Sequence, residues 1–568
     1  MKVTDYIVEF IISKEVTDIF GYPGGVICHF IDSTTKYRDK ISAHINYHEQ
    51  ASAFSACGYA QETGKIGVAY ATSGPGATNL VTGIANAYFD SIPVLFLTGQ
   101  VDTYGLKGDM PIRQRGFQET DVVSIVSAIT KYATRVDDPE NIRYELEKAY
   151  SLATTGNPGP VLLDLPADVQ RAVVDENNLK PYYHTDFKCN VNEAVHAIIE
   201  GLNRSERPVL LIGNGIKQAG NRKEIREFVD AIKIPCVSSM PAFDTLSYSN
   251  EYNFGFIGAN GHRYGNFVLG KSDLIISIGS RLDLKQVGNN RAEFCPNAKI
   301  IRIDIDRNSF VQKLHDEQCF CIDIKLLLPA LLKNKEKIKP ISREWTEVCK
   351  VLKEKLLGFD DEVYTRLLFA FCEKLPDCIG ITADVGQSEV WLVQQLHNKE
   401  SQTVHMSAGH GAMGYSLPAA IGTYYGYKRP VFSFNGDGGV QMNIQELQFL
   451  SRESIPVHVV VINNESLGMI RGFQEENFDK NYEQTIVGHG YSTPNFSDLA
   501  KAYGLQYIRI VKEQDISGLL TLDIDKPSII EIVIQKETLL HPNFGRNGLI
   551  QDQRPYMDRK LFEELMNL

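Results

Sequence analysis

Two apolar runs of strand length in the last third of the chain constrain its fold most strongly. Residues 430–434 lead into a Gly-Asp-Gly turn at 436–438, and residues 455–462 lead into an asparagine pair at 463–464. Such runs predict two parallel strands with an acid and an amide at neighbouring carboxyl ends, the edge where open α/β sheets bind ligands. Carboxylate, amide and backbone carbonyl oxygens suit a hard cation such as Mg²⁺, so the pattern predicts a metal-bridged diphosphate site. A solvated turn beside an unrelated asparagine pair is the alternative.

Strand-like runs alternate with helical stretches along most of the chain. They are Ile66–Ala71, Val94–Thr98, Val161–Leu165, Val209–Gly213, Leu274–Gly279 and Ile300–Ile305. This alternation predicts parallel sheets covered by helices on both faces. Two polar stretches, 175–192 and 332–350, are predicted linkers. We therefore expect an α/β fold of three doubly wound parallel-sheet domains over 1–175, 190–332 and 355–540, with a C-terminal tail over 541–568.

Composition narrows the function classes. The 568 residues carry a net charge of −12 and no basic run, which argues against a nucleic-acid surface. Residues 1–21 have apolar positions at helical spacing interrupted by charges, which predicts an amphipathic helix and not a signal peptide. No apolar stretch reaches membrane-spanning length. Ten scattered cysteines predict reduced thiols in a cytoplasm, with Cys57 as a packing residue. We expect a cytoplasmic enzyme acting on metabolites.

A second candidate site lies near the amino terminus. A predicted strand over 41–47 runs into His48-Glu49-Gln50, which opens an Ala-rich helix that stops at Gly64. By position alone, Glu49 is equally well explained as a carboxylate stabilised by the helix dipole. However, residues 47–100 closely resemble the pyrimidine-binding domain of the acetohydroxyacid (acetolactate) synthases, a family of thiamine diphosphate (ThDP) enzymes. In that family the matching Glu hydrogen-bonds the aminopyrimidine ring of ThDP.

The resemblance extends over almost the whole chain. Residues 20–25 resemble the family's first glycine loop, 117–120 its substrate loop, 409–414 the turn whose Met supports the cofactor, and 436–464 its ThDP motif. It implies a pyrimidine-binding first domain, a Rossmann-like central domain and a diphosphate-binding third domain. The implied cofactor contacts are Pro23, Gly24, Gly25, Glu49, Thr72, Asn79, Gly386, Gln387, Gly411, Met413, Gly436, Asp437, Gly438, Gly439, Asn464, Gly468 and Met469. The implied Mg²⁺ ligands are Asp437, Asn464 and the backbone carbonyl of Ser466. The implied substrate contacts are Phe117, Gln118, Lys131, Lys285 and Phe473, with Glu49 and Gln118 as catalytic residues.

The family chemistry implies a function. These enzymes decarboxylate a 2-oxo acid and pass the two-carbon unit to a second carbonyl compound, and pyruvate is the expected donor here. Related decarboxylases use adjacent His residues as general acids to release an aldehyde, but the matching place in this chain is Gln118-Glu119. Transfer to a second carbonyl is therefore favoured over aldehyde release. Gln118 as an ordinary surface amide and Met413 as a core filler are the structural alternatives.

Departures from the family leave the second substrate open. Lys285 stands where the synthases have an Arg that recognises the acceptor carboxylate, and Phe473 stands where they have a selectivity Trp. A keto-sugar or another carbonyl without a carboxylate is therefore an alternative acceptor. A catalytically silent regulatory paralogue is a further alternative, disfavoured because Glu49, Asp437 and Asn464 are all present.

The sequence also leaves open whether the central domain binds a flavin. Residues at the family's FAD contacts are Gly213, Asn214, Gly215, Arg281, Asp283, Asp304 and Asp323. Glycines and acids after strands are common in Rossmann-like domains, so FAD is possible rather than implied, and a pyruvate oxidase-like flavoenzyme is an alternative function. The resemblance also implies a homodimer or homotetramer, with each active site built across a dimer interface.

Overall fold

The structure, a computed structural model, describes residues 1–184, 189–545 and 548–568 and contains three six-stranded sheets. The first has the strand order β2-β1-β3-β4-β6-β5, and all its strand pairs are parallel. Its strands are β1 (Asp18–Gly21), β2 (Ser42–Ile45), β3 (Gly67–Ala71), β4 (Val94–Gln100), β5 (Tyr132–Arg135) and β6 (Val161–Pro166). Its helices are α1 (Val3–Ser13), α2 (Cys28–Thr34), α3 (Glu49–Thr63), α4 (Pro75–Asn79), α5 (Val81–Phe89), α6 (Val122–Val126), α7 (Ile142–Thr154) and α8 (Ala167–Arg171).

The central sheet has the order β12-β11-β10-β7-β8-β9. Its strands are β7 (Pro208–Ile212), β8 (Cys236–Ser238), β9 (Asn253–Phe256), β10 (Leu274–Ile278), β11 (Lys299–Asp304) and β12 (Glu317–Cys321). The accompanying helices are α9 (Val191–Arg204), α10 (Gly215–Gln218), α11 (Arg222–Ile232), α12 (Arg263–Gly270), α13 (Leu284–Val287), α14 (Ile324–Lys333) and α15 (Arg343–Leu356).

The third sheet has the order β14-β13-β15-β16-β18-β17 and is again parallel throughout. Its strands are β13 (Gly380–Ala383), β14 (Thr403–Met406), β15 (Val431–Gly436), β16 (Val457–Asn463), β17 (Gln506–Ile510) and β18 (Ser528–Val533). The helices are α16 (Val363–Cys372), α17 (Gln387–Gln395), α18 (Ser416–Tyr427), α19 (Leu447–Glu453), α20 (Gly468–Asn477), α21 (Phe496–Tyr503) and α22 (Arg559–Asn567). The predicted fold of three parallel-sheet units is confirmed.

The first and third units share one hydrophobic core, because α3 and α18 pack backbone to backbone. A Cβ atom on Gly422 would lie 1.8 Å from the carbonyl oxygen of Ser55, and one on Gly58 would lie 2.1 Å from that of Ala419. Glycine at both contacts is what lets the helices approach so closely. The rigid contact fixes α3, whose first residue is Glu49, against the third sheet.

Two sequence expectations need correction. The helix predicted over residues 1–21 ends at Ser13, and its apolar residues beyond Val16 belong to β1, where Ile19 and Phe20 are fully buried. The predicted linker over 332–350 is wrong in its second half, because α15 begins at Arg343 and packs its apolar face on the central unit. Part of the other predicted linker, 185–188, lies outside the described residues. The segment after residue 540 also packs on the central unit, where Phe562 meets Phe267 at 5.5 Å between ring centroids.

Candidate active site

The acid and the amide predicted at one sheet edge do lie together. β15 and β16 are neighbours with Gly436 paired to Ile462, so Asp437 and Asn464 follow adjacent strand ends. The backbone N–H of Ser466 donates to Oδ2 of Asp437 at 3.3 Å. The turn after β16 therefore closes over the Asp437 carboxylate, and the three predicted metal ligands form one group.

The structure separates the roles of the two asparagines. Nδ2 of Asn463 donates to the buried Glu531 at 2.6 Å, which fixes Asn463 to the neighbouring strand β18. Nδ2 of Asn464 donates to Oε1 of Gln387 at 3.1 Å, which leaves its amide oxygen as the atom for another contact. A Cβ atom on Gly468 would lie 1.8 Å from the same Gln387 oxygen, so only glycine fits there. Asn464 has the free oxygen that a cation needs.

The glycines around Asp437 bring several backbone segments together. A Cβ atom on Gly439 would lie 1.9 Å from Oδ2 of Asp384, a buried acid that accepts hydrogen bonds from the N–H groups of Gly414 and Tyr415. Asp384 thus ties the 409–414 turn to the Gly-Asp-Gly turn. Met413 lies in the 409–414 turn, is exposed and lines a cavity. This argues against the alternative that Met413 only fills space in the core.

Asp437 has a hydrogen-bond partner that the sequence did not predict. The hydroxyl of Tyr491 donates to Oδ1 of Asp437 at 2.8 Å, from a loop 54 positions further along the chain. Burial raises the pKa of Asp437 to about 6, while the hydrogen bonds from Tyr491 and the backbone oppose the rise. A buried carboxylate held this way is stabilised by a bound cation, so the donor set fits Mg²⁺.

Glu49 and its neighbours form a second group. His48, not Glu49, caps α3, because Nδ1 of His48 accepts the N–H of Gln50 at 3.1 Å. Glu49 is 8% exposed, and its Oε2 accepts from Nδ2 of Asn79 at 2.9 Å. Stabilisation by the helix dipole therefore does not by itself explain the position of Glu49. Its other oxygen, Oε1, is available to a ligand.

The backbone packs closely around Glu49 at two glycines. A Cβ atom on Gly76 would lie 3.2 Å from Oε1 of Glu49, and one on Gly24 would lie 2.4 Å from Cβ of Thr72. Thr72 Oγ1 is buried with no hydrogen-bond partner among the described residues. Pro23 and Gly25 lie exposed beside it. The unpartnered Thr72 hydroxyl is the feature of this group that fits a polar ligand such as the aminopyrimidine of ThDP.

The predicted substrate loop packs against the same group. Gln118 is half-buried with a left-handed φ of 64°, and its Cβ lies 2.9 Å from where a Cβ on Gly74 would be. Phe117 is 84% exposed. Glu119 accepts the N–H groups of Lys107, Arg115 and Gly116; although burial opposes them, these bonds lower the pKa of Glu119. Glu119 therefore fixes the loop as a carboxylate and is a poor general acid.

Lys131 contacts the backbone of a different loop, at residues 155–157. Its ammonium donates to the backbone carbonyls of Thr155 at 2.8 Å and Asn157 at 2.6 Å. Burial lowers the pKa of Lys131 to about 8. Its predicted substrate contact stays a prediction, and the contacts in this chain are structural.

A cavity of 1060 Å³ runs from the Gly-Asp-Gly turn to the carboxyl edge of the central sheet. The predicted cofactor and substrate residues that line it are Gly386, Gln387, Gly411, Met413, Gly436, Asp437, Gly438, Gly439, Asn464, Ser466, Gly468, Met469 and Lys285. Its central-sheet wall includes Asn214, Gly215, Arg281, Asp283, Asp304 and Asp323, whereas Gly213 packs behind it against Gly279. Among the described residues, Pro23, Gly24, Gly25, Glu49, Thr72, Asn79, Phe117, Gln118 and Phe473 do not line it. The predicted site is therefore in two halves within one chain.

Two buried acids in the cavity wall were missed by the sequence reasoning. Asp90, just after α5, accepts the N–H of Gly409 at 2.7 Å through Oδ1, and its Oδ2 has no partner within the described segments. Glu389, in the first turn of α17, is 4% exposed, and its Oε1 is likewise unpartnered. In the sequence, the available signal for Glu389 was its charge three positions after Gly386, the glycine that follows β13.

The described residues contain neither a cluster of metal-binding side chains nor a helix that could span a membrane. Within residues 1–184, 189–545 and 548–568, no group of three or more His, Cys, Asp or Glu side chains is arranged to hold a metal ion. The candidate site has one such side chain, Asp437, beside an amide and a backbone carbonyl, so water or ligand oxygens would complete the coordination of a Mg²⁺ ion there. No helix in the described part of the chain is long and apolar enough to cross a membrane. All ten cysteines are free thiols, and burial raises the pKa of Cys57 far above its ordinary value.

Three family descriptions match the chain in order. Residues 1–125 match "Thiamine pyrophosphate enzyme, N-terminal TPP binding domain", residues 195–331 the "central domain" of the same enzymes, and residues 384–532 the "C-terminal TPP binding domain". The first match covers the Glu49 group and the last covers the Asp437 group. The two halves of the predicted site thus coincide with two separate cofactor-binding domains.

Curated relatives match over nearly the full length. The acetolactate synthase large subunit of Lactococcus lactis is 36% identical, over 92% of this chain and 91% of its own. The acetolactate synthase isozyme 2 large subunit of Escherichia coli is 33% identical, over 94% and 96%. The probable acetolactate synthase large subunit of Methanocaldococcus jannaschii is 34% identical, over 100% and 98%.

Proposed function

This chain belongs to the acetolactate synthase family of thiamine diphosphate enzymes, and from that premise we propose that it decarboxylates pyruvate and transfers the two-carbon unit to a second carbonyl compound. Pyruvate loses CO₂, its former carbonyl carbon forms a bond to the acceptor carbonyl carbon, and the acceptor oxygen takes up a proton. The observation that carries this proposal is the pair of separate groups around Glu49 and Asp437, one with a free carboxylate oxygen and one with metal-ligand chemistry.

The third unit would anchor the cofactor. Asp437, the free oxygen of Asn464 and the backbone carbonyl of Ser466 would hold Mg²⁺ against the diphosphate, and Tyr491 fixes one Asp437 oxygen. Gly438 and Gly439 line the cavity, and a Cβ on either would collide with Leu467 or Asp384. When bound, ThDP supplies the electron sink that decarboxylation of a 2-oxo acid requires.

Glu49 would hold a proton at the pyrimidine. Its Oε2 is fixed by Asn79, so Oε1 is the oxygen available to a ring nitrogen, and Gly76 leaves the approach open. A carboxylate held at a helix start can share that proton and so help to activate the cofactor. Gln118 would face the reacting carbonyl as a neutral amide.

We propose that two chains complete each site. In one chain the Glu49 group does not line the cavity that Asp437 lines, yet a single ThDP must contact both. Apolar residues near each half are exposed in the single chain, with Phe117 at 84% and Phe473 at 57%. Burial of these side chains against a second copy would stabilise a dimer. A tetramer of two such dimers would complete the sites in the same way.

Transfer is favoured over aldehyde release because the loop offers no suitable proton donor. Gln118 is an amide, and the Glu119 carboxylate is engaged by three backbone N–H groups. Incubation with pyruvate, ThDP and Mg²⁺, followed by mass spectrometry of the products, tests this. We expect CO₂ and a carbon–carbon coupled product; acetaldehyde as the sole product would contradict the proposal.

We also propose that the central-sheet end of the cavity accepts FAD. Asp304 ends β11 at the cavity wall, and Gly215 lets the turn after β7 approach the turn after β10. Asp283 and Asp323 cap α13 and α14, which gives them a structural role in addition. Flavin absorbance of the purified protein tests the proposal, and oxygen consumption with pyruvate would instead favour an oxidase.

A further inference from the structure

Glu389 is a buried acid in the wall of the cavity that the predicted cofactor residues and Lys285 also line. It lies in the first turn of α17, two residues after the predicted cofactor residue Gln387. The charges that act on it are those of Lys285, the predicted acceptor contact, and of Asp384 and Asp90 on the cofactor side. Glu389 therefore lines the same cavity as the predicted cofactor residue Gln387 and as Lys285.

The Glu389 carboxyl has no structural task that accounts for it. It is 4% exposed, yet it lines the cavity, and its Oε1 has no hydrogen-bond partner within residues 1–184, 189–545 and 548–568. A buried carboxyl oxygen without a partner costs free energy unless a ligand supplies one. A buried carboxyl oxygen that lacks a partner in the free enzyme is the pattern expected of a group that recognises a ligand.

The local electrostatics favour a neutral ligand. Burial raises the pKa of Glu389 to about 8 despite Lys285, and burial raises that of Asp90 to about 7. A protonated carboxyl both donates and accepts hydrogen bonds, as a hydroxyl group does. Lys285 is exposed at the rim, so its charge is screened by water. The carboxylate of a 2-oxo acid acceptor would approach two acidic side chains, Glu389 and Asp90, and would have no buried cation beside it among the described residues.

We propose that Glu389 is a specificity-determining residue that binds a hydroxyl group of a neutral, hydroxyl-bearing carbonyl acceptor. This inference rests on the proposed function, because it concerns the second substrate of that reaction. The apolar part of the same wall, Phe256, Ile257 and Trp391, would pack against the carbon skeleton.

The test compares two neutral ketones of similar size, hydroxyacetone and butanone, as acceptors over a fixed concentration of pyruvate. The measured quantity is the ratio of their kcat/KM values within each variant, which cancels any change in the donor step. Wild type should prefer hydroxyacetone. Glu389→Leu should lower that ratio about tenfold through KM for hydroxyacetone, the effect of one lost hydrogen bond. Glu389→Gln, which still donates and accepts, should retain most of it.

Gln395→Leu is the matched control, because Gln395 lies on the same helix, is half-buried and does not line the cavity. Its ratio should equal that of wild type. An unchanged ratio in Glu389→Leu overturns the inference, as does an equal fall in the control. Loss of flavin absorbance without a change in ratio also overturns it, since Glu389 would then face the flavin. Absence of CO₂ release from pyruvate alone by wild type would instead reject the proposed function, and the inference with it.

Discussion

Glu62 gives the sharpest stability prediction, because its fully buried side chain joins the first and third units through contacts with Arg429 and His405. It lies near the end of α3 and is contacted by Arg429, by Nε2 of His405 at 2.6 Å and by the hydroxyl of Thr403 at 2.8 Å. Burial lowers the pKa of His405, although the Glu62 carboxylate opposes that shift, and Arg429 supplies a charge opposite to that of Glu62. Glu62→Gln keeps the shape but removes the charge and turns an amide NH₂ towards these donors.

The magnitude follows from the carboxyl's pKa. Burial opposes the shift, but His405, Arg429 and Thr403 together lower the pKa of Glu62 from 4.5 to about 2. At about 1.36 kcal/mol per pKa unit, this corresponds to about 3 kcal/mol at pH 7, within the range for breaking a buried pair. Since the folded-state pKa is lowered, the stabilisation is complete above pH 4.5 and is lost as the pH falls from 4.5 towards 2.

Urea unfolding at pH 7, followed by intrinsic fluorescence, measures this effect. A loss of about 3 kcal/mol shifts the midpoint by about 1 M for an m-value of about 3 kcal/mol/M. The difference between wild type and variant should stay constant down to pH 4.5 and shrink below it. Glu251→Gln is the control, because the Glu251–Lys350 pair, at 3.0 Å, is exposed on both sides and should leave the midpoint unchanged. Equal midpoints for Glu62→Gln and Glu251→Gln would refute the reasoning.

Three further predictions concern the active site. Glu49→Gln keeps the hydrogen-bonding shape but cannot share the proton, so ThDP should still bind while deuterium exchange at its C2 slows about 10²-fold or more; native exchange would count against the assignment. Asp437→Ala should weaken Mg²⁺-dependent ThDP binding in calorimetry without changing the circular dichroism spectrum, and native affinity would place the diphosphate elsewhere. Lys285→Arg restores a planar fork for carboxylates, so competition between acceptors should shift product formation towards 2-oxobutyrate. Because Phe473 leaves more space than a Trp, the wild type should select 2-oxobutyrate only modestly.

The sheet edge was predictable because it follows from local pattern and general topology. Apolar runs fixed β15 and β16, and parallel pairing then required Asp437 and Asn464 to be neighbours. The resemblance supplied the pairing of Glu49 with a pyrimidine, which no spacing rule contains. Tyr491 was not predictable, because its contact with Asp437 depends on how a loop 54 residues away returns to the sheet.

The misjudged elements share a physical cause. The Lys-rich stretch 332–350 looked like a linker because its exposed charges hid apolar residues of α15, Trp345 and Cys349 among them, that pack on the central unit. Glu389 was overlooked because its importance depends on burial and on the absence of a partner for Oε1 within the described residues, and neither property can be inferred from composition. Tertiary contacts, not local propensity, decide such positions.

The central claim is that the Glu49 half of one chain and the Asp437 half of another form each active site. Co-expression of Glu49→Gln chains with Asp437→Ala chains, each inactive alone, tests it most directly. Random pairing gives mixed dimers in which one site has both intact halves, so the mixture should recover about a quarter of wild-type product formation from pyruvate. Recovery of no activity, with mixed dimers demonstrated by differently tagged chains, would contradict the claim, because each chain would then carry its own complete and damaged site.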